Sequence, residues 1–560
     1  MRYILNLLLI FIVNSSSAQL QIGFDTTILC GADKMIYQAR GIKIDKDNNK
    51  YLIGSYKYSK TIDNDTVYTH SAVNHELSVG IYLVKFNASN EYLWMKKIGE
   101  SDTVNAYYHD IDHLGNVYIA ITYRSKLYIE NDTINSIGLS DFILAKYDSQ
   151  GNKIFDKRVQ SECFEFIRCL SISEDAIYIS GEFGTDVDNT VNNCPTFFDS
   201  IYVNNTNKVY IAKLDLQGNY IWIKTHNVGN IAKMTYKDGG LYAIGFCINP
   251  FGTIGNMNFS FSTSYNQYAY IAKIDTSGLA KWVNKFGANN PNLQPIMLWG
   301  LDIHKNRVFI GGHSFSNYFK NLVFEGGPTL ISYNSGWDYF IASYDTSGQF
   351  KWNTISKSIG TEYISQLVCD SDANVYAAGK FNYSLYFPGD TLYGYGGDDL
   401  FVCSYDSVGS FRWAVQGGGG GVDVANGIAL DSDGVPYIVG GTNSSMGMYM
   451  GNDILYPPTS QSTLFYARIG EIASWPSSTT THIAKAEPTI YPNPGRNYFR
   501  VKLPVQHHPQ QLRIFDTHGR ELYNAEITSH SAGHTVHTAA WPSGMYILRI
   551  GAWVGKWIQE

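Results

Sequence analysis

The chain has 560 residues, of which 16% are charged and 14% aromatic, with 42 tyrosines and 52 glycines. This composition favours strands and turns over helices, and the length suffices for a large domain plus a small one. The formal net charge of −7 argues against a nucleic acid partner, because phosphate binding needs a basic face.

The N-terminus has the pattern of a secretory signal peptide. Arg2 is basic, and the apolar stretch from Tyr3 to Val13 is too short to cross a bilayer. Ser16 and Ala18 then offer small residues for cleavage. We therefore predict that residues 1–18 are a signal peptide removed after Ala18. No later stretch is apolar enough for a transmembrane helix, so the mature chain is expected to lack a membrane span.

Residues 19–470 contain a repeating unit. Its first element, as in "LGNVYIAITY" (114–123), has an aromatic anchor, and its second, as in "SDFILAKYD" (140–148), alternates with a two-residue period. A third element places an aromatic residue four positions after a turn. The first-element anchors, 67, 60, 64, 67, 67 and 61 residues apart, are Tyr51, Tyr118, Tyr178, Tyr242, Phe309, Tyr376 and Tyr437.

Two further positions recur along the units. The second element has a near-constant position, occupied by Lys85, Lys146, Lys213, Lys273, Ser343, Cys403 and Arg468. The third-element aromatics are Trp94, Phe155, Trp222, Trp282, Trp352 and Trp413. Because each aromatic lies at a fixed place in its unit, we expect it to pack between neighbouring units.

About four strands per unit, repeated seven times, predict an all-β fold: a β-propeller of seven four-stranded blades. The units, in "DHLGNVYIAI", "SDFILAKYD" and "QGNKIF", resemble bacterial β-propeller repeats over about residues 40–470. Such repeats identify architecture and not chemistry. The third element occurs only six times, so we predict that residues 20–30 supply the missing strand and close the ring.

Alternating aspartates in the first-element turns suggest oxygen ligands for calcium. The sets are Asp45, Asp47 and Asn49; Asp370, Asp372 and Asn374; and Asp431, Asp433 and Gly434. The glutamate at the twelfth position of a calcium loop is missing, and Asx-turns explain these residues without metal. We therefore predict no metal or cofactor site, with calcium as the alternative.

Other candidate chemistry is weak. The run Gly417 to Gly421 lacks the Gly-Lys-Ser/Thr of a phosphate loop and is predicted to be a flexible loop between units. No linear catalytic motif is present, so no catalytic residue is assigned. Cysteine is odd in number, at seven, and Cys163, Cys169 and Cys194 are close enough in sequence to supply one disulfide.

After a Ser/Thr/Pro-rich linker at 471–487, residues 488–560 contain short alternating strands and are predicted to form a small immunoglobulin-like β-sandwich. This tail resembles the type A C-terminal sorting domain of the type IX secretion system of Bacteroidetes. The residues that match, and that the resemblance implies as the sorting signal, are Tyr491, Pro492, Asn493, Pro494, Gly544, Tyr546 and Lys556.

The resemblance implies export across both membranes and release or attachment at the outer face of the outer membrane, with the type IX machinery as a partner. Inserts rich in tyrosine and asparagine, at 251–270 and 383–397, either bind a glycan or protein ligand or pack as hairpin edges. The leading expectation is an exported binding or scaffold propeller. The alternatives are a secreted hydrolase or lyase with loop-borne catalytic residues and a structural envelope protein.

Overall fold

The computed structural model describes most of the chain. The described residues are 22–30, 36–56, 59–62, 65–68, 79–130, 132–161, 164–183, 196–199, 201–203, 209–262, 267–288, 296–316, 320–332, 336–358, 360–444, 447–451, 453–456, 463–471, 489–491, 494–502, 510–517, 520–527, 534–550 and 553–559. The predicted signal peptide, with Ala18, and nearly all of the predicted linker lie outside these residues.

The first three blades begin after an N-terminal strand, β1 (Ile22–Cys30). Their strands are β2 (Ile36–Ile44), β3 (Lys50–Tyr56), β4 (Ser59–Ile62), β5 (Asp65–Tyr68), β6 (Val79–Phe86) and β7 (Tyr92–Ile111); β8 (Val117–Ile129), β9 (Asp132–Asn135), β10 (Asp141–Tyr147) and β11 (Lys153–Val159); and β12 (Glu165–Ile172), β13 (Ala176–Phe183), β14 (Thr196–Phe198), β15 (Ile201–Val203), β16 (Val209–Asp215) and β17 (Tyr220–His226). The long strand β7 is the outer strand of blade 1 and continues as the innermost strand of blade 2.

Blades 4 and 5 each contribute six strands. They are β18 (Lys233–Lys237), β19 (Gly240–Cys247), β20 (Phe251–Ile254), β21 (Met257–Ser260), β22 (Gln267–Asp275) and β23 (Ala280–Ala288); and β24 (Met297–His304), β25 (Arg307–Ser316), β26 (Lys320–Phe324), β27 (Leu330–Ser332), β28 (Gly336–Tyr344) and β29 (Phe350–Ile355).

Blades 6 and 7 complete the ring. Their strands are β30 (Glu362–Cys369), β31 (Val375–Phe381), β32 (Ser384–Phe387), β33 (Asp390–Tyr393), β34 (Asp399–Tyr405) and β35 (Phe411–Gly419); and β36 (Asp423–Leu430), β37 (Pro436–Thr442), β38 (Met448–Met450), β39 (Asp453–Leu455) and β40 (Thr463–Glu471). The predicted architecture of seven four-stranded blades is therefore confirmed.

The N-terminal strand closes the ring. Strand β1 pairs antiparallel with β40, from Ile22 opposite Glu471 to Cys30 opposite Leu464, and so becomes the outer strand of blade 7. Its Phe24 is buried in the apolar cluster between blades 6 and 7. This pairing confirms the prediction that residues 20–30 supply the missing strand. Without it, strand β40 would present an unpaired edge.

Side chains on the innermost strands link neighbouring blades. These strands contact one another around the ring, and that of blade 7 contacts that of blade 1. Asp110 receives hydrogen bonds from Lys43 Nζ of blade 1 at 2.8 Å and from the backbone N–H of Ile172 of blade 3 at 2.9 Å. Asp302 receives one from the backbone N–H of Cys369 at 2.8 Å. The strands that line the central channel are thus connected by hydrogen bonds between neighbouring blades.

The two faces of the ring differ in construction. On one face, which we call the turn face, tight turns join the first strand of each blade to the second and the third to the fourth. On the opposite face, which we call the hairpin face, a hairpin is inserted between the second and third strands. The hairpins of blades 2, 5 and 7 pair with the outer strand of the preceding blade and so cover its edge.

The repeated aromatic residues pack between blades near the turn face, as predicted. Trp222 Nε1 donates to the carbonyl of Thr276 in the next blade at 3.1 Å, and its ring covers Gly278. Gly278 has φ of +81°, so the turn requires a residue that tolerates this conformation. Tyr178 packs at the same ring, 6.5 Å between centroids.

The assignment of Cys403 to the near-constant lysine position was wrong. The residue opposite the anchor Tyr376 is Ser404, and Cys403 lies opposite Ala377. Because successive side chains of a strand point to opposite faces, Cys403 faces away from the side on which the lysines lie in other blades. Arg412, on the outer strand, takes the place of the lysine: it donates to Tyr376 Oη and Ser404 Oγ, each at 3.1 Å. Lys146 makes the corresponding contact in blade 2, with Nζ 4.8 Å from the Tyr118 ring centre.

The tail forms two sheets. Strands β41 (Thr489–Tyr491), β42 (Tyr498–Lys502) and β45 (His534–His537) make one sheet, and β43 (Gln510–Phe515), β44 (Glu521–Ile527), β46 (Gly544–Ile550) and β47 (Trp553–Gln559) make the other. Phe499 and Trp557 meet in their shared core, 4.6 Å between ring centroids. Two sheets around one core agree with the predicted sandwich, and its immunoglobulin-like topology stays a prediction. Across the described ranges, no helix has the length and apolarity to cross a membrane.

Candidate functional site

A β-bulge near the hairpin face redirects one residue on each of six innermost strands. At each bulge the register to the second strand skips one residue. The skipped residues are Arg40, Asn105, Arg168, Trp299, Ser365 and Asn426. Since the innermost strands line the central channel, a skipped side chain that is exposed faces water near the opening of the channel at the hairpin face, which we call the channel mouth.

Trp299 is the large apolar residue among those that the bulges redirect. Its side chain is 45% exposed, although it lies on the innermost strand of blade 5. Beneath it lies buried His313, with ring centroids 6.5 Å apart and planes at 26°. Burial, and then the charge of Lys380, lowers the pKa of His313 to about 3, so the imidazole is neutral. Trp299 therefore rests on an uncharged ring and presents indole surface to the mouth.

Blade 6 adds a second ring and an ion pair. Tyr363 contacts His313 edge-on, with centroids 4.2 Å apart, and Lys380 Nζ lies 5.0 Å from the centre of the Tyr363 ring. Lys380 also pairs with Asp398 at 2.6 Å. Trp337, 5.1 Å from His313 between ring centroids, completes the cluster. We call Trp299, Trp337, Tyr363, Lys380 and Asp398 the mouth cluster.

Blade 3 contains a related arrangement. The guanidinium of Arg168 lies 5.3 Å from the centre of the Phe166 ring and pairs with Glu182, Nε to Oε1 3.0 Å. Phe166 lies opposite Glu182 in the same register in which Tyr363 lies opposite Lys380. An aromatic ring with a paired cation above it thus occurs in two blades of the same face.

The insert at 383–397 has one packed side and one exposed side. Phe387 is buried and stacks on Phe411 at 4.9 Å between centroids. Tyr383 and Tyr393 are exposed, and the partly exposed Tyr395 stacks on Tyr449 of the blade 7 hairpin at 4.8 Å. Both interpretations of the insert, hairpin packing and exposed aromatic surface, therefore describe part of it.

Pairs of carboxyl groups are buried at the hairpin face between blades. In each pair one residue lies at or near the start of a third strand and the other begins the next innermost strand; the pairs are Asp141 with Glu165, Asp338 with Glu362, and Asp399 with Asp423. They bind the loops that connect blades: Asp423, for example, accepts from the Gly419 N–H at 2.8 Å. Burial raises the pKa of Glu165 to about 8 and that of Glu362 to about 9.

These carboxyl pairs do not form an accessible acid–base site. All six side chains are buried, whereas glycoside hydrolysis needs two carboxyl groups that flank the substrate. Their hydrogen bonds go to loop atoms of the protein itself, as from Ser356 Oγ to Glu362 Oε2 at 3.0 Å. The pairs therefore hold the inter-blade loops in place.

The aspartate turns belong to the turn face and form Asx-turns. Asp45 accepts hydrogen bonds from the backbone N–H groups of Asp47 and Asn49 at 3.0 and 2.8 Å, and from Asn49 Nδ2 at 2.9 Å. Asp370 has the same pattern and also accepts from Tyr376 Oη at 2.8 Å. The donors use the oxygens that calcium would need. The absence of a metal site stays a prediction, with calcium as its alternative. The described residues contain no group of three or more His, Cys, Asp or Glu side chains that could hold a metal.

Two minor predictions are also resolved. Gly417, Gly418 and Gly419 are not in a flexible loop: they end strand β35 and pair with Met448–Met450, because glycine allows close approach of the hairpin. Cys169 is a buried free thiol, so it does not form the suggested disulfide. Cys163 and Cys194 lie outside the described residues.

The residues predicted as the sorting signal occupy different positions in the tail. Tyr491 ends strand β41, Pro494 is exposed, and Pro492 and Asn493 lie outside the described residues. Gly544 begins strand β46. Tyr546 is buried against Trp541 and Trp557 and donates to the Pro542 carbonyl at 2.5 Å. Lys556 is exposed on strand β47. Their role in sorting stays a prediction.

Residues 489–559 match the family described as the secretion system C-terminal sorting domain. The tail is a type IX sorting domain. Its presence indicates export through the type IX system, followed by release or attachment at the cell surface, and makes the secretion machinery a partner of the chain. No curated protein sequence matches the chain significantly.

Comparison with solved structures finds matches of low identity and low TM-score. A chain of the mitotic checkpoint complex is 11% identical, with a TM-score of 0.35, covering 84% of this chain and 98% of that chain. The Dos1 propeller is 10% identical, with a TM-score of 0.35, covering 80% and 95%. The propeller domain of the Trilobed protease of Pyrococcus furiosus is 10% identical, with a TM-score of 0.36, covering 80% and 99%. These likenesses do not bear on function.

The sequence did not reveal the mouth cluster. The repeated signature residues lie near the turn face, whereas the residues at the channel mouth differ from blade to blade. The only signal was the tryptophan in "LWGLDIH" (298–304), which stands apart from the repeated positions. Its exposure depends on the bulge, which a single sequence does not display.

Proposed function

We propose that this protein is an exported binding propeller that captures an extracellular glycan or protein at the mouth of its central channel. The signal peptide and the sorting tail deliver it to the outer face of the outer membrane, where it is attached or released. It acts there as an adhesin-like scaffold without chemistry of its own.

The observation that carries this proposal is Trp299. An indole that is 45% exposed on an innermost strand leaves apolar surface in water, and aromatic side chains are typical of ligand sites. The neighbouring ion pair, Lys380 with Asp398, adds the small number of polar groups that orient a ligand. No described feature favours the hydrolase alternative, because the paired carboxyl groups are buried.

The test is a screen of the mature chain on arrays of polysaccharides and of host and matrix proteins, with both retention and released product measured. Retention without product is the expected result, and it should be lost in Trp299→Ala. Release of product would contradict the proposal in favour of an enzyme. Absence of retention on every array would favour a structural role in the envelope.

A further inference from the structure

The shape of the mouth cluster fits a flat ligand with an apolar face. Trp299 packs over buried His313, with ring centroids 6.5 Å apart and planes at 26°, so His313 supports one side of the indole before binding. A pyranose ring has an apolar face made of C–H groups, and an aromatic plane buries that face without requiring hydrogen bonds from it. A preorganised platform keeps the entropic cost of binding low.

The charges of the cluster select against an ionic ligand. A cation would meet the ammonium group of Lys380, which lies near Tyr363 and His313. An anion would find that ammonium group already neutralised by Asp398 at 2.6 Å. A donor and an acceptor side by side match the hydroxyl groups of a sugar, since each hydroxyl both donates and accepts.

The arrangement in blade 3 suggests more than one sugar residue. Phe166, Arg168 and Glu182 again combine an aromatic ring, a cation and a carboxylate. Phe166 takes the register position of Tyr363, whereas Glu182, and not the cation, takes that of Lys380. Both sets lie where innermost strands begin and second strands end, so both belong to the hairpin face. Two related sets on one face suit a polymer better than a single sugar.

Resting on the proposed function, we propose that the channel mouth binds a neutral polysaccharide, with Trp299 stacking on one sugar ring and the pair Lys380–Asp398 holding its hydroxyl groups. Phe166 with Arg168 and Glu182 forms a second contact for the same polymer. Under this proposal, uronate-rich polymers, sulfated polymers and proteins are not the ligand.

Affinity electrophoresis of the mature chain provides the test. The gels contain laminarin, mannan or galactan as neutral polymers, or alginate or heparin as acidic ones. We expect retardation by at least one neutral polymer and none by the acidic ones. Trp299→Ala should raise the dissociation constant at least about tenfold. Tyr202→Ala, which removes an exposed aromatic ring from the blade 3 hairpin, should stay within about twofold of wild type.

A second variant tests the role of charge. Asp398→Asn leaves Lys380 without its carboxylate, so binding of the neutral polymer should weaken and retardation by alginate should appear. Thermal melting checks that each variant folds, and we expect Trp299→Ala to fold because its ring is half exposed.

The outcomes separate this inference from the proposed function. Neutral binding that survives Trp299→Ala would overturn the site. Retardation by acidic polymers alone, or protein binding that Trp299→Ala abolishes, would overturn the neutral sugar and leave the binding function standing. Failure of all polymers on the gels and of all proteins on the arrays would overturn both.

Discussion

Glu165 illustrates how burial changes a single side chain. It is buried where blades 2 and 3 meet and accepts a hydrogen bond from Thr196 Oγ1 at 3.3 Å. Burial raises its pKa to about 8, whereas the pKa of a glutamate in an unfolded chain is about 4.3. The folded state therefore binds more protons between these two pH values, so this group lowers the free energy of unfolding as the pH rises through that window.

Glu165→Gln should weaken this pH dependence, because glutamine resembles the protonated acid and cannot ionise. Between pH 6 and pH 9, the variant should lose less stability than wild type, by at least about 1.4 kcal/mol, the equivalent of one pKa unit. Urea denaturation at both pH values measures the difference. Glu174→Gln, at an exposed position, is the control, and equal losses in wild type and Glu165→Gln would contradict the prediction.

Two tail residues separate folding from sorting. Tyr546→Ala removes a buried ring packed against Trp541 and Trp557, so it should destabilise the sandwich by about 3–5 kcal/mol and reduce export as a consequence. Lys556→Ala, at an exposed position, should leave the melting temperature unchanged and still reduce the exported fraction if Lys556 belongs to the signal. Normal export of Lys556→Ala would remove it from the predicted signal.

At the residue scale, the sequence predicted the side chains that repeat and missed those that do not. Tyr118 and Lys146 represent a contact that blades 1 to 4 share beside their turns. Trp299 occurs once, and its exposure results from a bulge and from its place on an innermost strand. Such exposure depends on distant parts of the chain.

At the element scale, the turn before each outer strand fixes the spacing between blades. Gly409 has φ of +91°, and a Cβ there would lie 2.7 Å from Cδ2 of Trp352 in the preceding blade. Gly389, in the hairpin of blade 6, has φ of +81°, yet a Cβ would meet no atom within 4 Å. The two glycines thus differ in packing while sharing a backbone conformation.

Gly409→Ala should therefore destabilise the protein more than Gly389→Ala. The left-handed conformation costs an alanine about 1–2 kcal/mol at either position. Only Gly409→Ala also overpacks against a tryptophan, which costs about 1–3 kcal/mol more. Comparison of the two urea unfolding curves measures the difference, and equal destabilisation would show that Trp352 does not set the blade spacing.

The strands that repeat were predictable, and the innermost strands were not. Second, third and fourth strands have aromatic or lysine positions at fixed spacing, whereas the residues of innermost strands such as Met297–His304 and Glu362–Cys369 differ between blades. The wrong assignment of Cys403 has a related cause. Two small adjacent residues, Cys403 and Ser404, replace the lysine, so the sequence did not show which of them lies opposite Tyr376.

At the scale of the whole molecule, strand β1 joins the two ends of the propeller. A chain lacking residues 19–30 should fail to fold as a monomer, because strand β40 would lose its partner and Phe24 would leave a buried cluster. Size-exclusion chromatography and circular dichroism measure this outcome. A chain ending at residue 471 is the control and should stay monomeric; a monomeric, cooperatively melting 19–30 deletion would contradict closure by strand β1.

The ring and the export route could be predicted from the sequence, whereas the binding site at the channel mouth could not. Repeats and the sorting tail are local patterns, so the sequence displayed them directly. The channel mouth is assembled from residues more than a hundred positions apart, such as Phe166 and Trp299, which only the closed ring brings to one face. Its chemistry could therefore be read only from the structure.

The most direct test of binding at the channel mouth is hydrogen–deuterium exchange of the mature chain, alone and saturated with the polymer that the screen retains. We predict slower exchange at the beginnings of innermost strands on the hairpin face, around residues 166–168, 297–300 and 363–366. Protection confined to the turn face, around residues 45–49 and 370–374, would contradict the account.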